Sequence, residues 1–147
     1  MKLIFSLIFS IATTTTCFSQ NIDSLMLNDL EIPKDYSKST ELVCRTSHSR
    51  SLYEQNELYP FLGNVLKKTF QSFIKKDDKG SILYFEFESD FEGQDFLNSL
   101  LYGKKQKPTK SESEEYFVKG KILVIWSLSL NSPLKKISKE KILRLLK

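Results

Sequence analysis

Apolar residues recur at intervals of three and four through the middle of this 147-residue chain. The positions are Leu58, Phe61, Leu62, Val65, Leu66, Phe70, Phe73 and Ile74. Because an α-helix completes a turn about every 3.6 residues, this spacing predicts a helix over residues 58–74 with one apolar stripe. Asp77, Asp78 and Gly80 come next and predict the end of that helix.

A period of two replaces this pattern over residues 81–88 and predicts a strand. One face carries Leu83, Phe85 and Phe87, and the other carries Ile82, Tyr84, Glu86 and Glu88. The first face is wholly apolar and is predicted to belong to the core. The second face starts apolar and ends acidic. Either another part of the chain covers it, or it is a surface that contacts a partner.

A second helix is predicted after this strand. Ser89 and Glu92 have the spacing of a capping box, which marks a helix N-terminus. The apolar face behind the box comprises Phe91, Phe96, Leu97, Leu100 and Leu101. Gly103 is the predicted stop. Residues 103–113, with four lysines including Lys107, are predicted to form a solvated loop.

Residues 114–118 and 121–130 predict an antiparallel hairpin joined by Lys119 and Gly120, with the glycine at a positive-φ site. In its second strand one face carries Ile122, Val124, Trp126 and Leu128, and the other carries Leu123 and Ile125. Apolar residues on both faces are typical of a central strand. The chain then breaks at Ser132-Pro133.

A basic helix is predicted at the C-terminus, capped by Ser138, with Ile137 and Ile142 placed as a hydrophobic staple. Its amphipathic pattern suits either an anionic membrane surface or packing on a sheet. Packing is the favoured interpretation, because an α+β domain needs an apolar stripe to cover its sheet.

The predicted fold class is therefore α+β, with a single layer of three to four mostly antiparallel strands and two to three helices packed on one face. Residues 57–147 form the α+β core, preceded by a partly irregular N-terminal arm over residues 20–56. Within the arm a short helix over residues 23–30 and a short strand over residues 41–46 are considered. The predicted core residues are Leu83, Phe85, Phe87, Val65, Phe70, Leu97 and Ile125.

The first 19 residues predict a signal peptide and hence an exported, periplasmic or secreted protein. A positive start at Lys2 precedes an apolar run of signal-peptide length, and cleavage between Ser19 and Gln20 leaves small residues at −3 and −1. Acylation at Cys17 is disfavoured, because Thr14 and Thr16 depart from a lipobox.

The net charge and the cysteine content limit the kinds of partner and of stabilisation that the chain is expected to have. Without Lys2 the chain has 21 basic against 18 acidic residues, a net charge of +3. This weak excess, without interleaved basic and aromatic residues, does not indicate a nucleic-acid partner. Cys44 is the one cysteine that remains after cleavage, so the fold is predicted to be stable without an internal disulfide.

Candidate chemistry is sparse. Cys44 and His48 are spaced by four residues, but no third group that would orient the imidazole is identifiable. Two such ligands are also too few for zinc, and no cofactor motif is present. The acidic run Glu86, Glu88, Asp90, Glu92 and Asp95 fails the spacing of a calcium-binding loop. A carboxylate pair at Glu86 and Glu88 fits a hydrolase less well than a solvated strand face.

Strand alternation places Tyr84 and Trp126 on one sheet face, opposite Leu83, Phe85 and Phe87. That face is either covered by the N-terminal arm or open as a contact surface. The leading hypothesis is a small, non-enzymatic envelope or periplasmic binding protein, a class that includes inhibitor and immunity proteins. Its candidate binding residues are Tyr84, Trp126, Glu86 and Glu88. A hydrolase using Glu86, Glu88 and Asp90 or Cys44 and His48, and a membrane-surface protein, are the alternatives.

Overall fold

Five antiparallel strands form one open sheet in a computed structural model that describes residues 21–55, 57, 59–105 and 114–147. The strands are β1 (Ser37–Ser39), β2 (Val65–Lys75), β3 (Asp78–Phe87), β4 (Glu114–Lys119) and β5 (Ile122–Ser127). Their order across the sheet is β1-β2-β3-β5-β4. The α+β class is confirmed, with five strands in place of the predicted three to four. The predicted signal peptide and Lys107 lie outside the described residues.

The helix predicted over residues 58–74 is wrong, because most of that range is strand β2. Residues three apart in a strand lie on opposite faces of the sheet. Phe70 packs on one face and Phe73 on the other, so a strand that is buried on both faces also shows the spacing of three. Pairing decides the element: β2 runs antiparallel to β3 from Val65 opposite Phe87 to Lys75 opposite Asp78. The start of the predicted helix is instead a single 3₁₀ turn at Pro60–Leu62.

The β4–β5 hairpin is confirmed, with its turn one residue later than predicted. Lys119 pairs with Ile122, so Gly120 and Lys121 form the connection. Gly120 has φ of 56°, the left-handed conformation that glycine adopts without steric cost.

Three α-helices pack on this sheet: α1 (Ser47–Glu54), α2 (Gln94–Tyr102) and α3 (Pro133–Leu145). The predicted capping box of α2 does not form, since the helix begins after Gly93, but Gly103 ends it as predicted. Helix α3 begins at Pro133, and Ser138 lies inside it. Within the described residues no helix is long and apolar enough to cross a bilayer.

The N-terminal arm differs from its predicted elements. A 3₁₀ turn at Ile22–Leu25 takes the place of the helix over residues 23–30, and β1 is the strand of the arm, earlier than residues 41–46. Residues 40–46 instead cross the sheet without strand structure. Side-chain hydroxyls in this segment and beneath it supply the hydrogen bonds that a strand ladder would otherwise provide.

The sheet is buried on both faces, so the prediction of helices on one face is wrong. Helices α1 and α2 cover the face that carries Leu83, Phe85, Phe87 and Ile125, and Leu97 of α2 packs against it, with Val65 and Phe70 at its margin. These are the seven predicted core residues, and their grouping is confirmed. Helix α3 and Ile22–Leu25 cover the opposite face. Both faces of β5 are apolar, so each needs a cover.

Candidate functional site

Tyr84 and Trp126 share one sheet face, as predicted, and both are buried there. Their register is set by the β3–β5 pairs Ile82–Trp126 and Tyr84–Val124. Tyr84 is 0% exposed and Trp126 is 2% exposed. The indole Nε1 of Trp126 donates to Ser138 Oγ of α3 at 2.8 Å. Of the two alternatives for this face, the structure therefore has the covered one, and neither aromatic side chain is available to a partner.

The covering of this face also accounts for the apolar stripe of α3. Leu134, Ile142 and Leu146 are buried against the sheet. Leu143 and Leu145 are about half exposed on the outer side of the helix. Packing on the sheet, the favoured interpretation of the C-terminal helix, is what the structure has.

No hydrogen bond joins Cys44 and His48 in the described part of the chain, and Ser49 is the hydrogen-bond partner of the Cys44 side chain. His48 is exposed in the first turn of α1, whereas Cys44 precedes that helix and is half-buried. Burial raises the pKa of the Cys44 thiol, and the nearby Glu114 carboxylate contributes in the same direction. A raised pKa keeps the sulfur as a thiol at neutral pH and disfavours nucleophilic attack.

Slow reaction of Cys44 with a disulfide reagent is the expected consequence. At pH 8 we expect the folded protein to react roughly tenfold more slowly than the protein unfolded in urea, because burial lowers both access and the thiolate fraction. Both rates are measured from the absorbance of the thiolate that the reagent releases. Equal rates for the folded and the unfolded protein would contradict the burial of Cys44.

The raised pKa of Cys44 also makes the stability of the fold depend on pH. The stability that comes from a neutral thiol is present below the ordinary thiol pKa, and it is lost as the pH rises through the folded-state pKa.

A row of polar side chains crosses four strands beneath the segment that carries Cys44. Ser72, Ser81, Ser127 and Glu114 are cross-strand neighbours, and all four are buried. Ser81 Oγ donates to the carbonyl of Val43 at 2.8 Å, and the backbone N–H of Arg45 donates to Ser127 Oγ at 2.7 Å. The row thus holds residues 43–46 across the sheet.

Glu114 ends this row as a buried carboxylate, 3% exposed. Its Oε1 accepts from Ser49 Oγ at 2.5 Å and from Ser127 Oγ at 2.7 Å, and Thr46 Oγ1 lies 3.0 Å from both oxygens. A carboxylate enclosed by hydroxyls has its acceptor capacity filled from within the protein. We therefore assign this cluster to stability of the fold.

The acidic run divides where β3 ends. Glu86 lies within the sheet, between Lys67 of β2 and Ile122 of β5. Glu88 lies beyond the end of β3, is exposed, and accepts from Asn64 Nδ2 at 3.0 Å. Glu88 lines a shallow cavity of about 470 Å³ with Ser89, Asp90, Glu92 and Lys121, and Glu86 does not. Within the described residues no group of three acidic, histidine or cysteine side chains is placed to hold a metal ion.

Phe91 anchors the segment that presents these carboxylates. Its ring is buried, 4.9 Å from the ring of Phe87, and its backbone N–H donates to the carbonyl of Gly120 at 2.9 Å. Asp90 and Glu92 flank this anchor and are both exposed. The sequence Asp-Phe-Glu therefore forms a fixed loop with a carboxylate on each side of a buried ring.

Three aromatic rings lie beside this loop. Phe96 of α2 is 5.3 Å from Tyr59 and 6.0 Å from Phe61, measured between ring centroids. Phe61 is 76% exposed although it is one of the largest apolar side chains in the protein. Tyr59 and Phe96 are half-buried. We call the surface formed by Tyr59, Phe61, Phe96, Glu88, Asp90 and Glu92 the acidic–aromatic surface.

The carboxylates of this surface differ in pairing from others in the described part of the protein. Glu31 accepts from Lys141, and Glu115 accepts from Lys135 and Lys139, with distances of 2.6–2.7 Å. None of Glu88, Asp90 and Glu92 has an ion pair with a described lysine or arginine. Lys121 lines the cavity with them but forms no ion pair to them, so within the described part of the chain no ion pair balances their charge.

A larger cleft of about 620 Å³ lies between α3, Glu115 of β4 and residues 130–133. Lys135 and Lys139 line it, but both already bind the Glu115 carboxylate. Its charges are therefore largely balanced within the protein, so the cleft offers less for a charged ligand than the acidic–aromatic surface.

Sequence reasoning identified the acidic half of this surface and missed the aromatic half. Tyr59 has no predicted role, and Phe61 is predicted on the apolar stripe of a helix that does not form. Phe96 does pack against the core from α2, as predicted, but the sequence pattern does not predict its contact with Phe61. The signal that could have located Phe61 is the Tyr-Pro-Phe sequence at residues 59–61, since a proline there favours a turn over a helix interior. Comparison of the chain with protein-family models, curated proteins and solved structures gives no significant match.

Proposed function

We propose that this chain is a small exported, non-enzymatic binding protein of the envelope or periplasm, which contacts a protein partner through the acidic–aromatic surface. The carrying observation is Phe61, which is 76% exposed, lies 6.0 Å from Phe96 between ring centroids, and adjoins carboxylates that have no ion pair with a described lysine or arginine. Exposed aromatic side chains are costly in water and are enriched where proteins bind one another. An inhibitor or immunity role belongs to this class.

The rigidity of the surface supports the proposal. Phe91 is buried below Asp90 and Glu92, and Phe61 rests on the helical Phe96. A preformed surface loses little conformational entropy on binding, so more of the contact energy is retained as affinity. Unpaired acidic groups around an apolar centre also favour selection of a cationic partner and its electrostatic attraction.

The hydrolase alternative has less support. Cys44 is half-buried, and the raised pKa of its thiol disfavours the nucleophilic thiolate. Glu86 does not line the cavity that Glu88 and Asp90 line, so the acidic residues do not act at one site. No described group orients His48 by a hydrogen bond in the manner of a catalytic base.

Site-specific photo-crosslinking tests the proposed surface. A benzophenone amino acid at position 61 is expected to give a discrete crosslinked adduct in the native host, because that side chain lies within the contact area. The same group at Leu30, which is 98% exposed and outside this surface, is the matched control. Adding Asp90→Asn and Glu92→Gln should weaken the adduct from position 61. Absence of an adduct from position 61, or equal adducts from positions 30 and 61, would refute the proposal.

A further inference from the structure

A small cavity lies at the centre of the acidic–aromatic surface. It has a volume of about 180 Å³ and is more enclosed than the cavity at Glu88. One side is apolar and the other is acidic. Its lining residues are Pro60, Phe61, Leu62, Gly63 and Phe87 on the apolar side, and Ser89, Asp90 and Glu92 on the polar side.

Close packing fixes the two walls relative to each other. The backbone N–H of Glu88 donates to the carbonyl of Asn64 at 2.9 Å, which ties the polar wall to the chain after the 3₁₀ turn. A Cβ on Gly93 would lie 3.0 Å from both Leu62 and Phe91. Glycine at position 93 therefore leaves room for Leu62, which lines the cavity, and for Phe91, which anchors the loop that carries Asp90 and Glu92.

The mixed lining specifies the chemistry of an occupant. An aliphatic stem suits the apolar side formed by Phe61, Leu62 and Phe87, whereas Asp90 and Glu92 favour a cation at the opposite side. Of the protein side chains, arginine has a three-methylene stem and a planar guanidinium, which binds carboxylates with several hydrogen bonds and stacks on aromatic rings. Lysine also has an aliphatic stem, but its compact and strongly hydrated ammonium lacks the planar face that stacks on an aromatic ring and the fork of donors that matches carboxylates.

We infer that this cavity receives an arginine side chain of the partner protein. This inference rests on the proposed function, since it names the group that the acidic–aromatic surface binds. The guanidinium donates to Asp90 and Glu92, and the stem lies against Phe61. Charge complementarity carries the choice: the apolar side alone would accept any aliphatic group, but the carboxylates require a donor with positive charge.

Titration of the full chain with acetyl-arginine-methylamide, followed by backbone amide NMR, tests the inference. We expect saturable shifts of the amides of Gly63, Ser89 and Asp90. The Asp90→Asn/Glu92→Gln variant should bind at least about tenfold more weakly, because it loses charge-assisted hydrogen bonds. The control variant Glu41→Gln/Glu140→Gln also removes two carboxylate charges, but from exposed positions outside the cavity. It should bind the arginine probe with the affinity of the original chain.

Two further probes keep the result specific. The citrulline analogue has the shape of arginine without its charge, and the lysine analogue has the charge without the planar group. Equal binding of either analogue, or no saturable shift with the arginine probe, would overturn the inference. A crosslink from position 61 together with failure of the arginine probe would leave the proposed surface standing and remove only the arginine.

Discussion

Replacement of Phe85 by alanine is expected to lower the free energy of unfolding by about 3–5 kcal/mol, the range for truncation of a buried aromatic residue. Phe85 is 1% exposed in β3, at the centre of the core beneath α1 and α2. The centroid of its ring lies 5.7 Å from that of Tyr53 and 6.3 Å from that of Phe87. The substitution therefore leaves a cavity with few neighbours able to move into it.

Phe61→Ala is the matched control for this prediction, because it deletes the same atoms from a side chain that is 76% exposed. It is expected to change the free energy of unfolding by less than about 0.5 kcal/mol. Urea titrations of both variants provide the comparison. Equal midpoints for Phe85→Ala and Phe61→Ala would contradict the core as described.

Glu114→Ala is expected to lower the free energy of unfolding by about 3 kcal/mol, because the buried hydroxyls of Ser49 and Ser127 and the Thr46 hydroxyl above them lose their common acceptor. Relief of the buried charge offsets part of this cost. Glu114→Gln keeps the shape and one acceptor oxygen, so it should cost less. Residues 43–46 should also exchange their amide hydrogens faster in Glu114→Ala, since the polar row that holds them is broken.

Glu140→Ala is the control for that experiment, since Glu140 is exposed on α3. We expect its unfolding midpoint to match that of the original chain within about 0.5 kcal/mol. If Glu114→Ala were no more destabilising than Glu140→Ala, the hydroxyl cluster would contribute nothing to the fold.

Strand alternation was the most informative signal in the sequence. Leu83, Phe85 and Phe87 lie on one face, as predicted, because a period of two leaves a strand with only one way to bury three large apolar side chains together. Gly103 and Gly120 were likewise predictable. Each has positive φ, a conformation that glycine adopts without the steric cost that other residues, such as Lys76 at φ of 46°, incur.

Strand β2 shows where local pattern was insufficient. Phe70 and Phe73 are three apart, a spacing that fits one face of a helix and also fits two opposite faces of a buried strand. Only the partner distinguishes these possibilities. The pairing of β2 with β3 through the turn at Lys76 and Asp77 is continuous from Lys67 to Lys75, and its hydrogen bonds outweigh the helical pattern.

The candidate site was likewise predictable from the sequence only in part. The sequence by itself determined that Glu88, Asp90 and Glu92 follow a core strand, and that Leu83, Phe85 and Phe87 share its buried face. Only the tertiary structure decided that Phe61 lies beside those carboxylates and that Tyr84 and Trp126 are covered. The antiparallel pair Val65–Phe87 brings the residues before β2 next to those after β3, a contact between segments more than twenty residues apart. Such a contact depends on strand register and on packing of both sheet faces, and neither is encoded in the period of any single element.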